Sequence, residues 1–220
     1  AAAVVLSAAG QTGADDLSDR AADLVGPDMV GPAGRELAGP WLADGGQILV
    51  AGEPGWPKGL VVLGPATPCA LWVRGDLTAD PQQVVSVVGA RRCSAYGRGA
   101  AEALAAVVAA SGRHVVSGGA LGIDEAAHHG ALDAGGRTVL FAAGGAGRVY
   151  PPSNAALFGR AQRAGAVVWE YAPGAPLTKR AFLHRNRLIA AVSAVTVVVE
   201  AADRSGALNT GRTAADLGRL

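Results

Sequence analysis

Cysteine, aromatic residues and long apolar runs are scarce in this sequence. Its two cysteines, Cys69 and Cys93, do not lie in a C-x-x-C or other metal-ligand spacing. The count leaves a disulfide open, but two buried free thiols are favoured. No apolar run approaches the roughly 20 residues that span a bilayer, and the opening AAAVVLSAAG lacks the basic start of a signal peptide. We therefore expect a cytoplasmic protein without a membrane span.

A charge excess of either sign is also lacking. The chain has 19 basic and 18 acidic residues, so its total charge predicts no binding of polyanions. The basic residues are nevertheless clustered. Residues 179–187 contain four of them and no acid, and Arg91, Arg92 and Arg98 surround a single predicted turn. A local basic patch is compatible with a neutral total.

Small and apolar residues dominate what is present. Half of the residues are hydrophobic and 32 are glycine, which suits tightly packed α/β layers. Apolar runs such as TVVVE are continuous, which favours parallel strands covered on both faces. Strands are predicted at 47–51, 70–73, 84–88, 114–116, 138–142, 166–169 and 195–199, with GEPGWPKGL as an ordered loop. Helices are predicted at 97–110, 124–134, 153–163, 185–191 and 208–217.

This order of elements predicts an α/β fold with a doubly wound, mostly parallel sheet. Residues 1–46 differ from the rest, with several aspartates at helical spacing and two glycine-proline breaks. They predict a small N-terminal helical segment, and residues 47–220 the main domain.

Three glycine-bearing turns follow predicted strands: VVGARRCS, VSGGALGID and AAGGAGRVYPP. Ligands of open α/β sheets bind at that edge. In the first turn, Arg91 and Arg92 stand where the chain enters a helix. We expect an anion site there, because the helix start offers backbone N–H groups and a favourable dipole beside two guanidinium groups. The G-x-G-x-x-G pattern of dinucleotide binding and the P-loop motif are both missing.

The run LTKRAFLHRNR is the second candidate binding segment. It places one aromatic residue, Phe182, among Lys179, Arg185, Asn186 and Arg187, just before a predicted helix. Cations for phosphates and a ring for a base are what a single-stranded nucleic acid requires. Together with Arg91 of the first turn, the three cations Lys179, Arg185 and Arg187 are predicted to make four phosphate contacts.

The acidic and histidine residues have structural explanations. Asp124 is interpreted as a helix N-cap, and Glu200 as the partner of a nearby arginine. His128 and His129 are adjacent and point in different directions on a helix, so joint metal binding is not expected. We therefore predict no catalytic residue, no metal site and no cofactor.

The sequence resembles the DNA-processing protein A family (DprA, also called Smf) from about Gly52 to Leu220. The resemblance is carried, in the family's order and spacing, by VVGARRCSAYG, VVSGGALGIDEAAHHGALDAGGRTV, GGAGRVYPPSNAALF, WEYAPGAP, FLHRNRLIAAVS and VVVEAADRSGALNTGRTAADLGR. It implies an extended Rossmann-like domain that binds single-stranded DNA and hands it to a RecA-type recombinase in natural transformation or recombination. It also implies a protein that is not an enzyme and that forms a homodimer.

The resemblance also implies which residues form the DNA pocket. These are Arg91 of the first turn, the residues Ser117, Gly118 and Gly119 of the second turn, the pair Lys179 and Phe182, and the RNR segment Arg185, Asn186 and Arg187. Arg92, next to Arg91 in the same turn, is a further predicted DNA-binding residue. The sequence departs from the family at Leu121, where a basic residue is usual, and this leucine removes one phosphate contact. Two other hypotheses stay open. The first is a nucleotide-handling enzyme of the phosphoribohydrolase type, although the P-G-G-x-G-T-x-x-E motif of such enzymes is missing from the sequence. The second is a nucleotide-sensing scaffold.

Overall fold

The computed structural model describes residues 32–77, 80, 83–203 and 205–220. Strands and helices alternate over most of this length. The α-helices are α1 (Pro32–Ala43), α2 (Ala95–Ala110), α3 (Ile123–Asp133), α4 (Ala155–Ala164), α5 (Lys179–Val192) and α6 (Gly206–Asp216). The strands are β1 (Gln47–Val50), β2 (Ala70–Gly75), β3 (Val84–Val88), β4 (His114–Gly118), β5 (Thr138–Phe141), β6 (Ala166–Trp169) and β7 (Val195–Val198). Short 3₁₀ segments occupy Lys58–Ala66 and Pro152–Asn154.

The strands form one seven-stranded sheet in the order β1-β2-β6-β5-β4-β3-β7. The five strands from β6 to β7 in this order pair in parallel, whereas β2 is antiparallel to both of its neighbours. The predicted doubly wound, mostly parallel sheet is confirmed. The chain runs outward from β3 through β4, β5 and β6 and then returns to β7 on the other side of β3. The topological switch point therefore lies between β3 and β7, where ligands of such sheets bind.

Helices cover both faces of the central strands, which explains why their apolar runs do not alternate. Neighbouring residues of β4 point to opposite sides: Val115 packs in the core with α2 and α3, and Val116 in the core with α5. Strand β7 is different, because all four of its residues are only half-buried. It has a paired strand on one side, β3, in the described sheet.

Helix α1 packs against the sheet through Trp41. Its ring meets those of Trp72 and Trp169 edge to face, each with centroids 5.8 Å apart, and its Nε1 donates to the carbonyl of Gln47 at 3.0 Å. A helix is thus present in the segment predicted to be helical. The division into residues 1–46 and 47–220 stays a prediction, and residues 1–31 lie outside the described part.

Three local predictions were wrong. The loop predicted around GEPGWPKGL ends in a 3₁₀ segment that begins at Lys58. Helix α5 begins at Lys179 and not at residue 185, because Thr178 caps it by accepting a hydrogen bond from the Ala181 N–H at 3.1 Å. Both cysteines are free as expected, but Cys69 is exposed and Cys93 half-buried. No helix in the described ranges is long and apolar enough to cross a membrane.

Candidate functional site

A pocket of about 640 Å³ opens at the carboxyl ends of β3 and β4, next to the start of α6. We call it the switch-point pocket. It is lined by the β3–α2 turn (Val88–Arg91), by Ala120 and Asp124 after β4, by Tyr150, and by residues of α5. At the start of α6, the lining residues are Ser205, Gly206, Ala207 and Thr210. Two of the three predicted glycine turns therefore contribute to it directly, and the third reaches it through Tyr150.

The mouth of the pocket combines positive charge with aromatic surface. The guanidinium carbon of Arg91 lies 4.8 Å from the centroid of the Phe182 ring. The ring of Tyr150 meets Phe182 at 5.6 Å with an interplanar angle of 63°. Arg91 and Lys179 are both exposed. A cation over a ring face is an attractive arrangement, and it holds Arg91 in a defined place while leaving its charge open to solvent.

The floor of the pocket is formed by the buried polar residues Asp124, Arg185, Asn186 and Thr210. The Arg185 guanidinium donates to the Phe141 carbonyl, and Asn186 Nδ2 donates to the Gly206 carbonyl at 3.2 Å. Burial raises the pKa of Asp124, against the opposing effect of the Arg185 charge. Burial likewise lowers the pKa of Arg185, although an arginine stays charged at neutral pH.

Gly118 lies directly beneath this floor. A Cβ at this position would overlap the Arg185 guanidinium, and it would lie 2.5 Å from Asp124 Oδ2. Only glycine lets these two buried charges come together over the end of β4. Gly118 therefore contributes to the pocket by leaving room for the Arg185 and Asp124 side chains.

The turn that carries Arg91 is fixed from two sides. On the β7 side, the Ala90 N–H donates to the Glu200 carbonyl at 2.6 Å, and the Glu200 carboxylate accepts from Ser94. On the β4 side, Gly122 has φ +85°, and a Cβ there would overlap the Ala90 carbonyl and lie 2.7 Å from the Arg91 carbonyl. Among the described residues, the Glu200 carboxylate bonds to Ser94 rather than to the expected arginine. The start of α2, where an anion site was expected, thus carries a carboxylate of the chain itself.

Five of the predicted site residues do not line the pocket: Gly118, which lies beneath its floor, and the four that follow. Ser117 is fully buried and donates through its hydroxyl to the Val87 carbonyl at 2.6 Å. Gly119 lies against Phe158, whose ring leaves no room for a side chain. Arg187 makes a two-pronged ion pair with Glu170 at 2.9 and 2.6 Å. Arg92 is exposed on the first turn, outside the lining.

The sequence reasoning missed several lining residues. Tyr150 stands near the end of the third glycine turn, AAGGAGRVYPP, and Ser205, Gly206, Ala207 and Thr210 belong to the string SGALNT. Five residues separate that string from the end of a predicted strand, which was the available signal. Asp124 was also misread, because the N-cap of α3 is Gly122 and Asp124 stands inside the first turn. Leu121 is 43% exposed and does not line the pocket.

The histidines form no metal site. The ring of buried His128 lies between Thr138 Oγ1 at 2.7 Å and the Gly118 carbonyl at 2.8 Å, whereas His129 faces Arg160. Burial lowers the pKa of His128 to about 4. No group of three His, Cys, Asp or Glu side chains in the described ranges is placed to hold a metal ion.

Comparison with protein families and curated proteins agrees with these features. A family model described as DNA recombination-mediator protein A matches residues 47–220. The putative DNA processing protein DprA of Mycobacterium tuberculosis is 46% identical over 156 residues, which are 70% of this chain and 40% of that protein. DprA of Streptococcus pneumoniae is 37% identical over 154 residues, 69% of this chain and 54% of that protein. The chain thus spans about half the length of these relatives or less.

Two solved structures resemble this fold. The DNA processing protein A of Helicobacter pylori, described for its single-stranded DNA binding mode, matches with a TM-score of 0.70 and 30% identity, over 79% of this chain and 78% of that one. The protein from Streptococcus pneumoniae matches with a TM-score of 0.74 and 29% identity, over 95% of this chain and 74% of that one.

Proposed function

Because the chain belongs to the DNA recombination-mediator protein A family, we propose that it binds single-stranded DNA in the switch-point pocket and delivers the strand to a RecA-type recombinase. The observation that carries the proposal is the pocket mouth, where Arg91 lies over the ring of Phe182 beside an exposed Lys179. The pocket mouth thus combines positive charge with aromatic surface.

The geometry favours single strands over duplexes. The two exposed cations of the mouth neutralise phosphates, which contributes affinity without reading the sequence. The aromatic pair Phe182 and Tyr150 offers ring surface to an unpaired base, and such stacking contributes about 1–3 kcal/mol per base. A duplex presents phosphates but no free base face, so it gains only the first contribution.

The predicted residues divide into three groups under this proposal. Arg91, Lys179 and Phe182 contact the strand directly, and Arg92 is a further cation on the exposed side of the turn. Arg185, Asn186 and Gly118 shape the floor. Ser117, Gly119 and Arg187 support the scaffold through the contacts described above. The proposed partners, a RecA-type recombinase and a second copy of this chain, and the cytoplasmic location rest on family membership.

We propose further that the protein is not an enzyme. The carboxyl group in the pocket floor, Asp124, is buried, and burial raises its pKa against the opposing effect of the Arg185 charge. In the described ranges, no nucleophile with a base beside it lines the pocket. Incubation with AMP, ATP or DNA should release neither base nor phosphate. Turnover that disappears in Asp124→Asn would instead support the phosphoribohydrolase type of enzyme.

Binding is tested by fluorescence anisotropy with labelled oligo-dT, competed by dTMP and by duplex DNA. Arg91→Ala should lower the affinity about tenfold, as expected for loss of one charge-assisted contact. Arg113→Ala is the matched control, because Arg113 is equally exposed but lies before β4, at the opposite edge of the sheet. Equal losses in both variants would contradict the pocket. Displacement of the oligonucleotide by equimolar dTMP would favour a nucleotide-sensing scaffold.

A further inference from the structure

The side-chain carbonyl of Asn186, in the floor of the switch-point pocket, is left without a partner. Asn186 lines the pocket and is only 8% exposed. Its Nδ2 donates to the Gly206 carbonyl at 3.2 Å. This bond fixes the orientation of the amide, because a carbonyl oxygen accepts only from the nitrogen end. None of the described residues donates a hydrogen bond to the other end, Oδ1. A nearly buried, unpaired acceptor therefore forms part of the floor.

The neighbouring polar groups of the floor have partners within the chain. The Thr210 hydroxyl donates to the first carbonyl of α6 at 3.1 Å, and Arg185 donates to the last carbonyl of β5. Asp124 accepts from two backbone N–H groups just after β3 and β4. The Nε of Arg185 has no partner either, but it is sealed from solvent. Within the described part of the floor, this leaves Asn186 Oδ1 as the group that a ligand would complete.

The chemistry of this acceptor favours a base over a phosphate. A phosphodiester group offers acceptor oxygens and no donor, so its place is with the exposed cations of the mouth. Bases carry N–H donors on their edges, and an exocyclic amino group carries two of them. The walls around Asn186 suit a flat ring, because the buried side chains Val88, Ile189 and Ala207 make them apolar. The floor therefore fits the edge of a base.

The position of Asn186 on α5 supports the same assignment. Asn186 follows Phe182 by four residues in this helix, so the two side chains lie on one face, about 5–6 Å apart at their Cβ atoms. Phe182 is half-buried at the mouth, whereas Asn186 is buried. One base can therefore stack on the ring of Phe182 and turn its Watson–Crick edge toward Asn186 Oδ1.

We propose that Asn186 makes the switch-point pocket prefer cytosine, which has an exocyclic amino group, over uracil and thymine, which have a carbonyl at the same position. Asn186 Oδ1 accepts from the amino N–H of cytosine. The carbonyl oxygen of uracil would instead face Oδ1 and leave two acceptors unpaired. This inference rests on the proposed binding of single-stranded DNA, and it adds that a base points inward while the phosphates stay at the mouth.

The test compares oligo-dC with oligo-dU of the same length by fluorescence anisotropy. The two bases share their ring and differ in the group at C4 and in the proton on the neighbouring nitrogen. The wild type should bind oligo-dC about fivefold more tightly, as expected for one hydrogen bond made in one case and lost in the other. Asn186→Ala should bind both strands alike. Asn209→Ala is the matched control, because it removes the same amide from an exposed residue of α6 that does not line the pocket, and it should keep the preference.

The outcomes separate this inference from the function on which it rests. A wild-type chain that binds neither strand would refute the proposed function itself. Equal binding of both strands by the wild type would overturn the inference and leave the function standing. A preference that persists in Asn186→Ala would assign the discrimination to another residue, which also overturns the inference.

A modified strand keeps the inference testable if Asn186→Ala does not fold. The wild type is then measured with a strand of cytosines whose amino groups carry two methyl groups each and therefore no N–H. This strand should bind no more tightly than oligo-dU, because Asn186 Oδ1 has nothing to accept. Binding as tight as that of oligo-dC would contradict the pairing with Asn186.

Discussion

At the scale of single residues, a positive charge near the pocket does not by itself make a DNA contact. Arg187 belongs to the same basic run as Lys179, yet its guanidinium is satisfied by Glu170 and by the carbonyls of His184 and Ala66. Lys179 stands exposed at the pocket mouth. The two cations differ in the groups that surround them after folding, and a run of basic residues in the sequence does not predict those groups.

Phe182→Ala tests whether the pocket is shaped for a base. Affinity for single strands should fall by about 1–3 kcal/mol, because one stacking surface and the support of Arg91 are lost. Duplex binding should change little. The measurement is anisotropy with oligo-dT and with a hairpin duplex. Tyr96→Ala is the control, since Tyr96 is 85% exposed but does not line the pocket.

The opposite result for Phe182 is also clear. The ring is only half-buried, so the variant should keep most of its stability. A large loss of stability combined with unchanged affinity of the folded fraction would make Phe182 a packing residue. The preference for single strands would then need another cause.

His128 should make stability fall at mildly acidic pH. The pKa of this histidine is about 4 in the folded chain and 6.5 in its ordinary state. Between these values the unfolded chain binds more protons, so the free energy of unfolding decreases as the pH falls. The decrease should approach about 3 kcal/mol by pH 4. Urea unfolding at pH 7, 6 and 5 measures it.

The matched variants for this pH effect are His128→Gln and His129→Gln. The first should unfold more easily at pH 7 but show a flatter dependence on pH, because the group that takes up the proton is gone. The second should keep the wild-type dependence. An unchanged pH dependence in His128→Gln would rule out His128 as its source.

At the scale of elements, strands were easier to predict than the contacts between their ends. The continuous valine run correctly predicted β3. The apolar strings predicted the bounds of β4, β5, β6 and β7 to within about two residues. The start of helix α5 was predicted six residues too late, because the cations of its first turns were interpreted as a binding segment that precedes the helix. The bond between Glu200 and Ser94 could not be predicted, because it exists only once β7 lies beside β3.

The β4–α3 turn offers a test of how firmly it holds the Arg91 segment. Gly122→Ala and Gly135→Ala both place a side chain at positive φ, which costs about 1–2 kcal/mol in each. At Gly135 nothing lies within 4 Å, whereas at Gly122 the new methyl would overlap the Ala90 carbonyl. Gly122→Ala should therefore be the less stable variant and should also lose affinity for oligo-dT.

Thermal unfolding and anisotropy of both variants provide the comparison. Gly135→Ala should bind oligo-dT like the wild type. Equal stability and equal affinity of the two variants would mean that the turn relaxes around the methyl group and does not fix Arg91.

At the scale of the whole molecule, the small number of exposed cations at the pocket mouth predicts a weak dependence of DNA binding on salt. Arg185 is buried and Arg187 is paired, so the four phosphate contacts expected from sequence reduce to Arg91 and Lys179. The log–log slope of affinity against salt should be about −1.4, at about −0.7 for each contact on a single strand. Titrations of oligo-dT between low and physiological salt measure it.

Two variants calibrate this slope. Lys179→Ala should make it shallower by about 0.7, and Arg187→Ala should leave it unchanged while lowering stability. A wild-type slope near −3 would restore the four-contact hypothesis drawn from the sequence. A slope of zero would remove electrostatics from the binding altogether.

The pocket as a whole was predictable in position but not in composition. The glycine turns correctly indicated the edge of the sheet, because parallel strands align their carboxyl ends there. Tyr150 and the lining residues at the start of α6 complete the pocket. These residue types carry no signal of a binding site in the sequence, and only their position in the folded chain makes them part of it.

The pairing of β3 with β7 also determines when the pocket forms during folding. The side chains of Ser86 and Thr196 bond across this pair at 2.8 Å, although they are 110 positions apart. Contacts between such distant segments close a large loop and form slowly, whereas the β3–α2–β4–α3 unit is built from neighbouring residues. We therefore expect the proposed affinity for DNA to be acquired at the end of folding, and a local opening confined to β7 and α6 to abolish it while the rest of the sheet stays intact.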